Sequence, residues 1–152
     1  MNKGDKKTMK KASQILFLVG GILAILLAVL WLVLSIVYFV NAAAALTLAE
    51  GYSGADLPQP VKDFITQWAQ DNNCSSWKEV ATQITVYAVW FLIMCIFSIP
   101  AAILSFICKK EKRGLPLLIV ATVVNAVGGC VVSVVGGVLG IISWAIWERK
   151  EQ

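Results

Sequence analysis

The chain has 152 residues, 59% hydrophobic and 14% charged, with mean hydropathy +0.77 and formal net charge +4. That apolar excess excludes an ordinary water-soluble domain, and one membrane domain consumes the whole length, leaving none for a separate catalytic domain. The bases sit in short runs beside apolar blocks, a distribution that excludes nucleic acid as partner and points to the lipid bilayer.

Three charge-free stretches organise the chain. Lys11 to Glu50 encloses 38 residues, Glu79 to Lys109 encloses 29, and Arg113 to Glu148 encloses 34. Each exceeds the ~20 helical residues that cross a hydrocarbon core of ~30 Å. The fold expected is all-α: an integral membrane bundle of four transmembrane helices, forming one domain over residues 1–152.

Residues 1–11 form a cytoplasmic tail with five lysines against Asp5. The first span follows over 12–40. Its apolar core, 15–40, is too long for the roughly 7–15-residue core of a cleaved signal, so an uncleaved anchor is expected. Residues 41–79 form an outer segment, carrying Glu50, Asp56, Asp63, Asp71 and Glu79 against Lys62 and Lys78. Gly51, Ser53, Gly54 and Asp56 read as a turn cluster. Pro58 and Pro60 suit the first turn of an amphipathic helix over 60–70, because that turn has no use for their missing N–H. Val61, Phe64, Ile65 and Trp68 share one face of it. This face is expected on the membrane surface, capping the bundle, or against a partner.

Asp71, Asn72 and Asn73 break that helix, and Asn73-Cys74-Ser75 formally fits a glycosylation acceptor. Ser76 and Glu79 read as a capping box opening the next helix, in which the glutamate reaches back to an early N–H. The second span covers 80–108, with Pro100 expected to kink it. A basic cytoplasmic loop, 109–114, comes next.

The last block is too long for one span: 34 residues rise about 51 Å. Splitting it at Gly128 and Gly129 gives two short spans, 115–127 and 131–147, joined by a glycine hinge, before a cytoplasmic tail at 148–152. A re-entrant hairpin and one long tilted helix are the alternatives. With this split, 11 of the 13 bases fall on the inner side, placing both termini in the cytoplasm of a multi-pass plasma-membrane protein.

Chemistry is sparse. The chain has no histidine, and no acid or base falls inside any expected span. No nucleophile motif, phosphate loop or carboxylate pair is present, so no enzyme, cofactor or metal is expected. Asn125 is the most polar side chain deep in the last block, expected to hydrogen-bond between helices. Cys95 is expected as ordinary apolar filling. Cys108, at the inner boundary, is a conceivable lipidation site in a eukaryote. Cys74 falls outside and, if the last block splits at Gly128 and Gly129, Cys130 lies near the outer hairpin; the two form a disulfide only if their Cα atoms come within about 7 Å.

Small residues give the clearest packing signal. Gly20, Ala24 and Ala28 repeat on the first span, and Gly129, Ser133 and Gly137 on the last, with Gly136 and Gly140 beside them. Such residues let helix backbones approach closely. The expectation is that the Gly129, Ser133 and Gly137 face packs on the Gly20, Ala24 and Ala28 face.

The basic start followed by Phe-Leu-Val-Gly-Gly-Ile-Leu-Ala, the acidic outer segment with Trp77-Lys-Glu, the basic loop, and Val-Gly-Gly-Val-Leu-Gly-Ile-Ile before Trp-Glu-Arg-Lys together resemble a bacterial family. It comprises small four-helix membrane proteins of Gram-positive bacteria, a domain-of-unknown-function group. The resemblance covers most of the chain and implies four spans and a bacterial cell membrane; it carries no activity and no site residues. The function expected is a non-enzymatic protein acting by helix packing and partner binding, the partner being another membrane or envelope protein or a second copy of itself. Immunity or envelope-stress protection against a toxin or peptide is one alternative. An oligomeric pore or small transporter is the other.

Overall fold

A computed structural model describes residues 3–110, 114–128 and 130–146. Among these the chain is all-helical: α1 Lys3–Ala49, a 3-10 turn Gly54–Asp56, α2 Gln59–Asp71, α3 Trp77–Cys108, α4 Leu115–Val127 and α5 Val131–Ile146, with no strand.

Two of these helices, α1 and α3, are long and apolar enough to cross a membrane. At 47 residues α1 rises about 70 Å, so it outreaches a hydrocarbon core of ~30 Å. Only 22% of its most apolar window is buried, and 33% of that of α3. A core helix of a water-soluble protein buries most of such a window. The short helices α4 and α5, at 13 and 16 residues, rise only about 20 and 24 Å.

The helix ends follow from local chemistry. Gly51 closes α1 at φ 88°, a left-handed backbone that glycine adopts without strain. The N–H groups of Gly51 and Tyr52 then donate back to Leu48 and Thr47, completing a Schellman motif. Pro58 caps α2 and Pro60 lies in its first turn. Asn73 turns the chain at φ 50°, a conformation asparagine tolerates better than most side chains. At the start of α3 the Ser76 hydroxyl accepts the Glu79 N–H at 3.3 Å. The Glu79 carboxylate reaches back one residue further than a capping box requires, accepting the Ser75 N–H at 2.8 Å and its hydroxyl at 2.9 Å. Helix α3 runs unbroken through Pro100, whose ring is on the exposed side. Pro116 occupies the first turn of α4, and α4 stops where Gly128 donates to Val124.

The chain divides into two compact units. One comprises 1–30 and 94–152, the other 31–93. The first packs the N-terminal part of α1, the C-terminal part of α3, α4 and α5. Phe17, Cys108, Leu118 and Ala121 make one buried cluster there, and Ala24, Ala102 and Cys130 another. The second packs the remaining parts of α1 and α3 with α2 around Ala42, Ala45, Ile65, Val80, Ala81 and Ile84.

Both units are built small-inside. Buried positions are rich in Ala, Gly and Ser, whereas Leu26, Val29, Ile36, Val86, Trp90, Ile96 and Val123 are each at least half exposed. This reverses the usual distribution of a protein in water, where a large continuous apolar surface is rare.

Candidate functional site: a polar seam and an aromatic cap

The first unit carries a seam of buried polar side chains. Ser13, on α1, donates to the Gly136 carbonyl at 2.7 Å. Ser98, on α3, reaches Met94 O at 2.8 Å and Gly128 O at 3.4 Å. Ser105 is the junction: its hydroxyl lies 2.8 Å from Ala101 O, 3.2 Å from Asn125 Oδ1 and 3.0 Å from the Ser133 hydroxyl. Asn125 completes the knot by donating its amide to Ala121 O at 2.7 Å and Ala101 O at 3.4 Å. The Cys130 thiol gives its proton to Gly20 O at 3.2 Å.

Both ends of the Asn125 amide are therefore committed to its own helix or to α3. In a membrane such bonds act as glue between helices. Neither a serine hydroxyl nor an asparagine amide takes up a proton near neutral pH, so the knot holds no general base. Among the described residues no cluster of His, Cys, Asp or Glu is placed to hold a metal.

Close approach of the helices makes the seam possible. A Cβ on Gly20 would collide with the Ser133 side chain, and one on Gly136 would come within 2.9 Å of Leu16 Cβ. Gly137 instead abuts the Thr122 side chain of α4. So the face of α5 turned to α1 is Ser133 with Gly136, and not Ser133 with Gly137 as expected. At 100° per residue, Gly136 and Gly137 point to different neighbours, and a helix wedged between α1 and α4 uses both. Ala24 is buried, Ala28 half-buried and Gly140 buried; Gly129 lies outside the described residues.

In the second unit, α2 lays its apolar face inward. Ile65 is 1% exposed, and Val61, Phe64 and Trp68 are half-buried. Tyr38 sits among Phe64, Trp68, Tyr87 and Phe91 with ring centroids 5.0–6.3 Å away, mostly edge-on, the arrangement that aromatic quadrupoles favour. The Gln83 side-chain carbonyl accepts the Trp68 indole N–H at 3.2 Å and the Cys74 thiol at 3.5 Å, clasping α2 to α3. Of the placements expected for this face, packing against the rest of its own unit is the one found for Ile65, Phe64 and Trp68. The cause is the aromatic side of α1 and α3, which sequence periodicity alone does not pair with α2.

Among the described residues outside the spans, Glu79 and Cys74 are electrostatically perturbed. The Ser75 backbone N–H, and then its hydroxyl, hold the Glu79 carboxyl below its ordinary range. Burial, and then the negative Glu79, push the Cys74 thiol up. Cys74 and Cys130 are both free thiols. Cys130 is 2% exposed behind Gly20 and Ser133, and Cys108 is fully buried near the Leu117 carbonyl. Trp31 Nε1, Asn41 Oδ1 and Trp144 Nε1 are buried polar atoms that the described chain leaves without a partner.

No protein-family model, curated protein or solved structure matches this chain.

Proposed function

We propose that this chain is a non-enzymatic, multi-pass protein of the plasma membrane that crosses the bilayer four times and acts by binding another membrane or envelope protein. The observation that supports this most is the inversion of the two units: small and polar residues within, large apolar residues on the outside of α1 and α3. Lipid satisfies such a surface and water does not. The bases at the N-terminus, the 109–113 loop and the C-terminus argue for a cytoplasmic location of those segments. On this reading α4 and α5 form a hairpin of short spans, which local thinning of the bilayer accommodates at modest cost. The resemblance to small Gram-positive membrane proteins favours a bacterial setting.

Topology is tested by single cysteines on a background with all four native cysteines replaced. A cysteine at Glu50 should react with a membrane-impermeant maleimide in intact cells, and one at Gln152 only after lysis. Strong labelling at Gln152 in intact cells rejects the four-span arrangement. For the binding role, photocrosslinking from Trp90, which is 59% exposed on α3, should trap a discrete second membrane protein. Adducts with lipid alone would reject the partner-binding role for this face.

A further inference from the structure

The outer surface of α1 changes character within one turn. Lys7, Lys10, Lys11 and Gln14 line a shallow groove of about 370 Å3. Their spacing puts all four on neighbouring rows of one helix face. Directly beyond, Ile15, Leu18, Val19 and Ile22 are exposed, Ile15 and Ile22 by 51% and 52%. Lys7, Lys11, Ile15, Leu18 and Ile22 form one stripe, cationic at one end and wholly apolar at the other. From Lys11 to Ile22 the helix rises about 16 Å, half a hydrocarbon core and so one leaflet.

From this stripe we infer a binding site for one anionic phospholipid, its phosphate held by Lys7 and Lys11 and its acyl chains lying along Ile15, Leu18, Val19 and Ile22. The inference rests on the membrane reading above. The lysine ammoniums act as point charges on the phosphate oxygens, and the Gln14 amide adds a neutral donor at the glycerol level. Each lysine near an anionic surface contributes about 1 kcal/mol. The apolar continuation selects a lipid over a soluble phosphate, because a soluble ligand leaves the four aliphatic side chains uncovered.

The full chain in mild detergent, titrated at low salt with phosphatidylglycerol or with phosphatidylcholine of the same acyl chains, tests this by native mass spectrometry of bound lipid. The expected result is tighter binding of phosphatidylglycerol, weakened about 10- to 30-fold by Lys7→Gln with Lys11→Gln. Lys7→Arg with Lys11→Arg should retain it, and so should Lys62→Gln with Lys78→Gln, which removes the same charge elsewhere. Equal affinity for the two lipids overturns the site, and so does an equal loss in the two glutamine pairs. Displacement of the lipid by excess inorganic phosphate overturns the two-part site in favour of a bare phosphate site. Alkaline carbonate extraction separates the two readings. A chain that stays in the membrane pellet without preferring phosphatidylglycerol sinks the lipid site alone, whereas a chain released by carbonate sinks the membrane reading beneath it.

Discussion

Asn125 shows how a single residue changes meaning once its neighbours are known. A lone asparagine in an apolar block is compatible with a ligand contact, but here Ser105, Ala101 and Ala121 use both ends of its amide. Replacing it with alanine removes one of the acceptors facing Ser105, and the amide's own bonds to Ala121 and Ala101, and leaves a small void. Hydrogen bonds between membrane helices average about 0.6 kcal/mol and reach about 1.7. Asn125→Ala should therefore destabilise the chain by roughly 1–2 kcal/mol in reversible unfolding from mixed micelles. Thr8→Ala, which removes only an exposed bond to Gly4 O, should change it by less than about 0.5 kcal/mol. A neutral Asn125→Ala would show that the knot contributes nothing. Gly137 makes a complementary case, since the atoms nearest its added Cβ all belong to Thr122 of α4. Gly137→Ala should cost about 1–3 kcal/mol by overpacking, and Thr122→Ala should recover part of that loss. Recovery by Ser133→Ala instead would mean that α5 is rotated from the position described.

At the scale of elements, helix boundaries are the most legible part of the sequence. Charge-free blocks, Pro58, Pro60, Gly51 and Gly128 mark them, and α4 occupies the expected 115–127. Helix α1 runs beyond the expected span 12–40. The good helix formers Ala42–Ala49 carry it past the C-terminal end, as their propensity leads one to expect. The lysine-rich start extends it further at the N-terminal end than the sequence indicates. Which faces meet is not legible, because the pairing of distant segments depends on three-dimensional fit. Thus Gly136 and Gly137 part company, and Phe64 and Trp68 turn inward to Tyr38. The start of α3 gives an element-level test. Glu79 has its folded pKa lowered by Ser75, so its contribution is present above the unfolded value of about 4.3 and is lost as pH falls through the lower folded value. Protection from hydrogen exchange at the first turn of α3, relative to the intrinsic rate at each pH, should fall below about pH 4.3 in the native chain. In Glu79→Gln that acid step should be absent, and the Cys74 thiol should alkylate faster near pH 8 because a repelling charge is gone. An identical acid step in the variant would assign it to another carboxylate.

For the whole molecule, the question is whether a serine-rich interior is a conduit or an adhesive. The expected spans contain no Asp, Glu, Lys, Arg or His, the groups that commonly mark ion and proton pathways. Hydroxyls within them are turned to protein carbonyls: Ser13 to Gly136, Ser98 to Met94 and Ser105 to Ala101. A hydroxyl already bonded to backbone replaces an ion's hydration shell only by giving up that bond, and conduction needs many such groups free in succession. Gly20 and Gly136 point the same way, because they bring backbones too close together to leave a lined channel between them. Purified protein in liposomes should accordingly show ion flux no greater than protein-free vesicles at acidic, neutral and alkaline pH. The informative comparison is Asn125→Leu, which fills the knot with an apolar side chain. Flux well above background in the native chain, abolished by that substitution, would make the seam a pathway and replace the binding role with that of a pore.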